Sequence, residues 1–326
     1  MKRKIIILFV LLLFLVAIKM NAQWSITGNT GTNPAIHFIG TTDNVDLVFK
    51  RNQVLAGILS SANTSFGLKS LYGNTTGTYN TAIGGGALYS TTTGNSNTAS
   101  GGNALFFNSG GSYNAAAGVQ ALYSNTTGAC NTADGSYAFF DHTTGNYNVA
   151  LGYNTGRGIT TGSYNTIIGA NVMGLPPNLN NTIILADGLG NQRLYINNVG
   201  NTGIGTNNPG NYKLNVWGSI RAHEIVVNTT GADFVFEENY RLRPLEEVAQ
   251  FIWQNKYLPE IAPAAEMQKD GVSVAELQVK LLQKIEELTL YMIQQHDKSI
   301  LQDKRIEELA NENNILKTLI TNLQKQ

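Results

Sequence analysis

The chain has 326 residues, with 22 basic side chains, 22 acidic side chains and a single cysteine. One cysteine excludes an intramolecular disulfide, and the composition offers no basic patch for nucleic acid. Residues 63–181 carry only four charged side chains, whereas charges recur every few residues after Asp233, which predicts two regions of different character.

The N-terminus predicts an export signal over residues 1–22. Lys2–Lys4 is basic, Ile5–Ile18 is an unbroken apolar run of 14 residues, and Ala22 stands at a small-residue cleavage position. A membrane-spanning helix needs about 20 apolar residues, which favours a cleaved signal peptide. The remaining chain holds 18 basic and 22 acidic residues and no further segment long enough to span a membrane. We expect the protein at the cell surface or outside the cell, with the periplasm as the alternative.

A β-rich lead-in over residues 23–62 precedes a repeat region over residues 63–181. In the repeat region one phrase returns every 17 residues without insertion, as in NTAIG, NVALG and NTIIG. An asparagine opens each repeat: Asn63, Asn80, Asn97, Asn114, Asn131, Asn148 and Asn165. A glycine follows four residues later: Gly67, Gly84, Gly101, Gly118, Gly135, Gly152 and Gly169. An apolar residue usually stands eight residues after the asparagine, and a second glycine stands fourteen after it.

This period predicts a parallel β-roll or β-solenoid. Seventeen residues are too few for two packed helices, and the unit is rich in Gly, Thr and Asn. Glycine supplies positive φ at tight corners, and asparagine tolerates the left-handed region and bonds from coil to coil when stacked in register. One coil buries little apolar surface, so we expect association between chains to complete the core.

The phrases NTAIG (Asn80–Gly84), NVALG (Asn148–Gly152) and NTIIG (Asn165–Gly169) resemble the head repeats of trimeric autotransporter adhesins, over about residues 60–185. The resemblance implies a left-handed parallel β-roll and three chains packed around a threefold axis, although the usual unit of that family is somewhat shorter. Some heads of that family bind matrix proteins such as collagen. The repeated residues themselves are expected to be structural, because catalysis needs a unique constellation and a periodic motif supplies seven similar environments.

Two repeats depart from the pattern. Cys130–Gly145 introduces two aspartates and His142, and an Asp–His–Ser grouping with Ser136 is conceivable, but adjacency in sequence does not place side chains for proton transfer. Tyr153–Gly162 loses the apolar position and predicts Arg157 at the surface as an edge defect. The Thr-Thr pairs precede glycine and therefore indicate a turn; an ice-binding face built from them is an alternative.

Residues 182–230 predict a β-rich neck. Its sequence GNTGIGTNNP…KLNVWGSIRA (Gly200–Ala222) resembles a segment common in exported fibre-like proteins and phage tail fibres. The GIG within it is not a nucleotide fingerprint, because the third glycine and the strand–helix context are missing.

Residues 231–272 predict a small module with a helix. Leu245, Val248, Phe251 and Ile252 stand at helical spacing, and Pro259 ends the pattern. This part resembles the C-terminal chaperone-like modules of tail-fibre proteins. Some of those modules cleave themselves with a Ser and a Lys in the motif Ser-Asp-x-Arg-Leu-Lys.

The matching stretch here is ENYRLR, which holds Glu238 at the serine position and Arg243 at the lysine position. An arginine does not readily become the neutral base that an activated serine requires. We therefore expect no self-cleavage.

Residues 273–326 predict a coiled coil. Its heptad core is Ile285, Leu288, Met292, Ile306, Leu309, Asn313, Leu316, Ile320 and Leu323. The polar stretch Gln295–Gln302 predicts a weak point where the helix breaks. Ile at position a, Leu at d and one Asn at a favour two strands, whereas the head resemblance implies three. The tail follows the symmetry of the head to which it is attached, so we expect a homotrimer, with a dimer as the alternative.

Catalytic and metal-binding motifs are absent from the sequence. His37, His142, His223 and His296 lie far apart, without metal spacing, and neither a phosphate loop nor a nucleophile elbow occurs. We expect no enzyme activity, no cofactor and no metal.

The fold class expected is mainly β with an α-helical C-terminus: a parallel β-roll, a small α+β module and a coiled coil. The function expected is that of an exported fibrous surface protein, for adhesion or structural display, with an extracellular protein or glycan surface as partner and no nucleic acid. The alternatives are a phage-derived receptor-binding fibre and a glycan- or ice-binding β-solenoid.

Overall fold

The computed structural model describes residue 33 and residues 38–324. The expected signal segment and His37 lie outside the described residues. The described residues form two compact units, which divide between Ile220 and Arg221, and each unit has its own elements. In the described part, none of the helices has the length and apolar character needed to cross a membrane.

The first unit is one sheet of 13 strands, in which neighbours in the sheet are also neighbours in sequence. The strands are β1 (Leu47–Arg51), β2 (Val54–Leu59), β3 (Asn63–Phe66), β4 (Asn80–Ile83), β5 (Thr98–Ser100), β6 (Ala115–Ala117), β7 (Thr132–Asp134), β8 (Val149–Leu151), β9 (Thr166–Ile168), β10 (Ile183–Ala186), β11 (Gln192–Ile196), β12 (Thr202–Ile204) and β13 (Leu214–Val216). The hairpin β1–β2 pairs antiparallel with β3, and β3 to β10 then stack in parallel. β11 pairs antiparallel with both β10 and β12, and β13 pairs in parallel with β12. The predicted parallel β-solenoid is confirmed.

The register of the parallel strands follows the 17-residue period. Asn63 lies opposite Asn80 at one end, and Thr166 lies opposite Ile183 at the other. β10 therefore adds a rung beyond residue 181, where the sequence pattern of the repeats ends. Because each strand is only three or four residues long, most of each coil consists of tight corners.

The interior of the solenoid is filled within one chain. In the coils that begin at Asn80, Asn97, Asn114 and Asn131, the alanine two residues after the asparagine and the apolar residue eight after it both point inward. Ala82, Leu88, Ala99 and Leu105, for example, have no exposed surface. Each thin core is covered by the coils above and below it, so burial does not depend on a partner. The expectation that association completes this interior is wrong. What remains exposed lies on the outer faces.

The second unit begins with a 3₁₀ turn (Asp233–Phe236) and continues with α1 (Leu245–Asn255), α2 (Ala264–Asp270) and α3 (Val274–Leu323). α1 ends where Lys256 takes a left-handed conformation, short of Pro259. The 3₁₀ turn packs on α3.

The long helix α3 starts at a capped N-terminus, where the Oγ of Ser273 accepts a hydrogen bond from the backbone N–H of Glu276 at 3.4 Å. It then runs for 50 residues without interruption. The expected break at Gln295–Gln302 is therefore wrong. That stretch has polar heptad positions but no Gly or Pro, so it weakens packing between helices without breaking the helix itself.

Candidate functional site

The repeat asparagines form a buried ladder inside the solenoid. The backbone N–H and the Nδ2 of Asn97 donate to Oδ1 of Asn80 at 3.0 and 3.1 Å, and the same Nδ2 donates to the carbonyl of Gly111 at 2.9 Å. The same three bonds recur at Asn114 and at the following rungs. These amides are satisfied within the chain and hold coils together, so they offer nothing to a ligand.

The repeat glycines turn the chain sharply at the end of each strand. All seven have φ between 124° and 149°. A Cβ added at Gly118 would lie 2.6 Å from the carbonyl carbon of Gly135, because successive coils approach each other backbone to backbone at this corner. A side chain at this corner would therefore collide with the backbone of the next coil.

A stacked aromatic ladder runs along another corner. Its members are Tyr72, Tyr89, Phe106, Tyr123 and Phe140, with adjacent ring centroids 4.8–5.5 Å apart and nearly parallel planes. Offset stacking of this kind contributes about 0.5–1.5 kcal/mol per pair beyond the burial of area. Sequence reasoning missed this ladder, although an aromatic residue nine positions after the repeat asparagine was visible in five coils.

Arg157 closes the aromatic ladder. Its guanidinium carbon lies 4.8 Å from the centroid of the Phe140 ring, and its Nε donates to Oδ2 of Asp141 at 2.7 Å. Burial acts to raise the pKa of Asp141, but the hydrogen bonds from Arg157 and from the Gly158 N–H outweigh it and leave that pKa lowered. The arginine is 28% exposed and fully paired, so it is a terminal cap on the ladder and not a free cation at the surface.

His142 is buried in the interior, in the place that Asn125 occupies one coil earlier. Its Nε2 donates to the carbonyl of Gly145 at 2.9 Å, and its Nδ1 has no partner among the described residues. Burial lowers its pKa, more than the bond to Gly145 raises it. Ser136 and Asp134 are not among its hydrogen-bond partners, so the structure does not assemble the Asp–His–Ser grouping.

A row of hydroxyl groups also ties the coils together. The side chains of Thr75, Thr92, Ser109, Thr126 and Thr143 each donate to a backbone carbonyl of the next coil at 2.8–3.1 Å. These hydroxyls lie between the strands of successive coils, and they are already engaged within the chain.

The outward side of the parallel strands, here called the outer sheet face, carries large apolar residues without cover. Phe66, Ile83, Leu151, Ile168 and Leu185 are 39–51% exposed in the single chain. The middle of this face is lined by small residues such as Ala115 and Ala117. An apolar surface of this extent on one side of a sheet is typical of a protein–protein contact.

A second exposed feature is a row of tyrosines at the corner before the repeat asparagine. Tyr79, Tyr113, Tyr147 and Tyr164 are 56–75% exposed, and the last two stack with their centroids 5.2 Å apart. All four have φ near 60°. The row lies at a different position of the coil from the outer sheet face, so the solenoid presents two separate exposed surfaces.

The second unit has a pocket of about 500 Å³ between α1, α3 and the segments that flank α1. Within it the hydroxyl of Tyr240 donates to Oε1 of Glu287 at 2.5 Å, and Lys284 pairs with both Glu287 and Glu260. Burial and the Glu287 carboxylate raise the pKa of Tyr240 to about 12. The heptad residue Ile285 also lines the pocket, which therefore opens onto the predicted coiled-coil seam.

The two residues at the self-cleavage positions do not form a catalytic pair. Glu238 is exposed and its carboxylate has no partner among the described residues. Arg243 pairs with Glu260 at 3.5 Å. Neither a nucleophile nor a neutral base stands at these positions.

The predicted heptad core of α3 is exposed in the single chain. The apolar members Ile285, Leu288, Met292, Ile306, Leu309, Leu316, Ile320 and Leu323 are 42–72% exposed. Asn313 is also exposed. Along this seam the 50-residue helix lacks the tertiary packing that normally stabilises helices.

Comparison with known proteins identified no relative of this chain. No family model, curated protein or solved structure matches the chain. In the described part of the chain, no group of His, Cys, Asp and Glu side chains is arranged to hold a metal ion.

Proposed function

We propose that the protein is an exported fibrous surface protein that assembles as a homotrimer and acts in adhesion. The trimer places the outer sheet face of the solenoid and the seam of α3 at contacts between copies. The remaining corners of the solenoid, including the tyrosine row, then form the surface that meets the partner.

The observation that carries the assembly is the outer sheet face. The solenoid interior is complete in one chain, yet Leu151 and Ile168 on adjacent strands stay 45% and 39% exposed. Burial of such a face contributes about 25 cal/mol per Å² of apolar surface removed from water. The resemblance of NTAIG, NVALG and NTIIG to trimeric adhesin heads supports three copies.

The helix α3 supports assembly independently. Its a and d residues form a stripe that only other helices cover well, and Ile285 and Leu288 of that stripe border the pocket of the second unit. A helix from a second copy is the occupant that fits both the stripe and the pocket.

The proposed role in adhesion is based on the solenoid surface that stays exposed outside the contacts between copies. The solenoid is sparsely charged and repetitive and presents exposed tyrosines, which supply large contact area with few rotatable bonds. We propose an extracellular protein or glycan surface as the partner.

The proposed assembly is tested by measuring the solution mass of the chain without residues 1–22 by light scattering. The expected mass is that of three chains. The double variant Leu151→Lys, Ile168→Lys should dissociate or precipitate, whereas Tyr147→Lys, Tyr164→Lys at the tyrosine row should keep the mass of the unaltered chain. A stable monomer would overturn the proposal.

Adhesion is tested with cells that carry the gene and with a deletion strain. Antibody should label intact cells, and binding to plates coated with matrix proteins or glycans should fall on deletion. Absence of label on intact cells, with the protein found inside, would contradict export and display.

A further inference from the structure

We infer that the neck carries a saccharide-binding groove, centred on Trp217, for neutral sugars. The inference rests on the proposed adhesive function and names its ligand class. The groove belongs entirely to the first unit. One wall is formed by the turn before β11 and the start of that strand, and the other by the residues after β12 and by Trp217, which follows β13.

The groove has the size of a small-molecule site. Its volume is about 640 Å³, within the roughly 300–1,000 Å³ usual for such sites. Its walls are held by the sheet: the backbone N–H of Trp217 donates to the carbonyl of Ile204 at 2.9 Å, and Gly205 donates to the carbonyl of Arg193 at 3.0 Å. The aromatic side chain therefore projects from a fixed backbone.

Trp217 supplies an apolar platform. It is 82% exposed, so the neck itself buries little of the indole. The face of an aromatic ring carries partial negative charge, so it attracts the C–H groups on one face of a pyranose ring. An exposed indole beside polar side chains is the arrangement that such stacking needs.

The polar groups of the groove mix acceptors and donors. Oε1 of Gln192 is buried and has no donor among the described residues. The guanidinium of Arg193 uses Nε and Nη2 to bind Asp187, and its Nη1 has no hydrogen bond in the described part. The side chain of Asn207 makes no hydrogen bond there either.

This mixture selects for a neutral polyol. A phosphate or carboxylate would find an acceptor at Gln192, and the charge of Arg193 is already paired with Asp187. A cation would need a free carboxylate, and Asp187 is occupied by Arg193 and by backbone N–H groups. A sugar hydroxyl both donates and accepts, so it satisfies Gln192 and Arg193 together.

The test uses the full chain without residues 1–22 on an array of neutral hexose and N-acetylhexosamine oligosaccharides, followed by calorimetric titration of the strongest one. Trp217→Ala and Gln192→Leu should each weaken binding at least tenfold. Gln192→Leu removes an unpartnered buried oxygen, so it should not lower stability and any loss of binding reports on the site. Tyr212→Ala is the control, since this tyrosine is 69% exposed on the neck but does not line the groove.

Two outcomes overturn the inference: no neutral oligosaccharide binds, or the Trp217 and Gln192 variants bind as well as the control. A fall in solution mass of Trp217→Ala also overturns it, because the groove is then a contact between copies. If cells adhere but no sugar competes, the inference fails and the proposed function stands. If the purified chain binds sugar but intact cells neither display it nor adhere, the proposed function fails alone.

Discussion

The side-chain oxygen of Asn97 accepts two hydrogen bonds from Asn114, one from the backbone N–H at 3.0 Å and one from Nδ2 at 3.1 Å. Neither asparagine has more than 1% of its surface exposed. The ladder works only because an amide is both donor and acceptor at the same rung. A carboxylate keeps the acceptor and loses the donor.

Asn114→Asp tests the ladder. The new carboxylate would face Oδ1 of Asn97 and the carbonyl of Gly128, both acceptors, so we expect a loss of about 3–5 kcal/mol in unfolding free energy at pH 7. The loss should shrink at low pH, where the aspartic acid is protonated and donates. Thermal unfolding followed by circular dichroism measures both effects.

The control for this change is Asn95→Asp. Oδ1 of Asn95 accepts from the backbone N–H and the hydroxyl of Thr78, and its side chain is partly solvated. An aspartate preserves both of these bonds and loses only the solvent-exposed bond that Nδ2 of Asn95 donates to the carbonyl of Thr93, so we expect a loss below about 1 kcal/mol. Equal losses in the two variants would contradict the ladder as a source of stability.

Gly118→Ala tests the corner of the coil. The glycine has φ 126°, and a Cβ would lie 2.6 Å from the backbone of Gly135, so the alanine meets both conformational strain and a contact that cannot relax. We expect a loss of at least about 3 kcal/mol in unfolding free energy, measured by denaturant unfolding.

Gly102→Ala is the matched control, because a Cβ at that residue would have no atom within 4 Å and its φ is not left-handed. That variant should stay within about 1 kcal/mol of the unaltered protein.

Much of the solenoid could be predicted from the sequence because every coil must place the same residue types in register with the coils beside it. The interval from Asn63 to Asn80 predicted the register that the strands adopt. The interval does not reveal which corner positions are left-handed. Leu88 has φ 51° while fully buried, a conformation that bulky residues rarely adopt, and only stacking against the next coil maintains it.

The candidate surfaces were less predictable than the fold. The heptads of α3 were visible as a pattern, but the groove at Trp217 depends on how three strands of the neck pair, and no short motif records that. The cap formed by Arg157 likewise joins residues of two coils. The 17-residue pattern predicted only that the repeat containing Arg157 departs from the others.

His142→Asn tests a pH dependence built into the interior. Burial lowers the pKa of His142, so the unfolded chain binds a proton more readily than the folded chain. The stability linked to this group is therefore complete above about pH 6.5 and is lost as pH falls through the range below it. Asparagine restores the residue type of Asn125, so the variant should lose less stability than the unaltered protein between pH 7 and 5. Identical pH profiles from denaturant unfolding would contradict this assignment.

The second unit is expected to remain uncleaved. Arg243 pairs with Glu260 and a guanidinium does not supply a neutral base, while Glu238 stands where the self-cleaving modules have their serine nucleophile. Purified protein should therefore run as one band on a denaturing gel after days at 37 °C. The double variant Glu238→Ser, Arg243→Lys supplies the missing pair and is the informative comparison, with Glu238→Ser alone as its control. A specific C-terminal fragment from the unaltered chain, abolished by changing either residue, would refute the prediction, because it would show that cleavage proceeds without a neutral base at position 243.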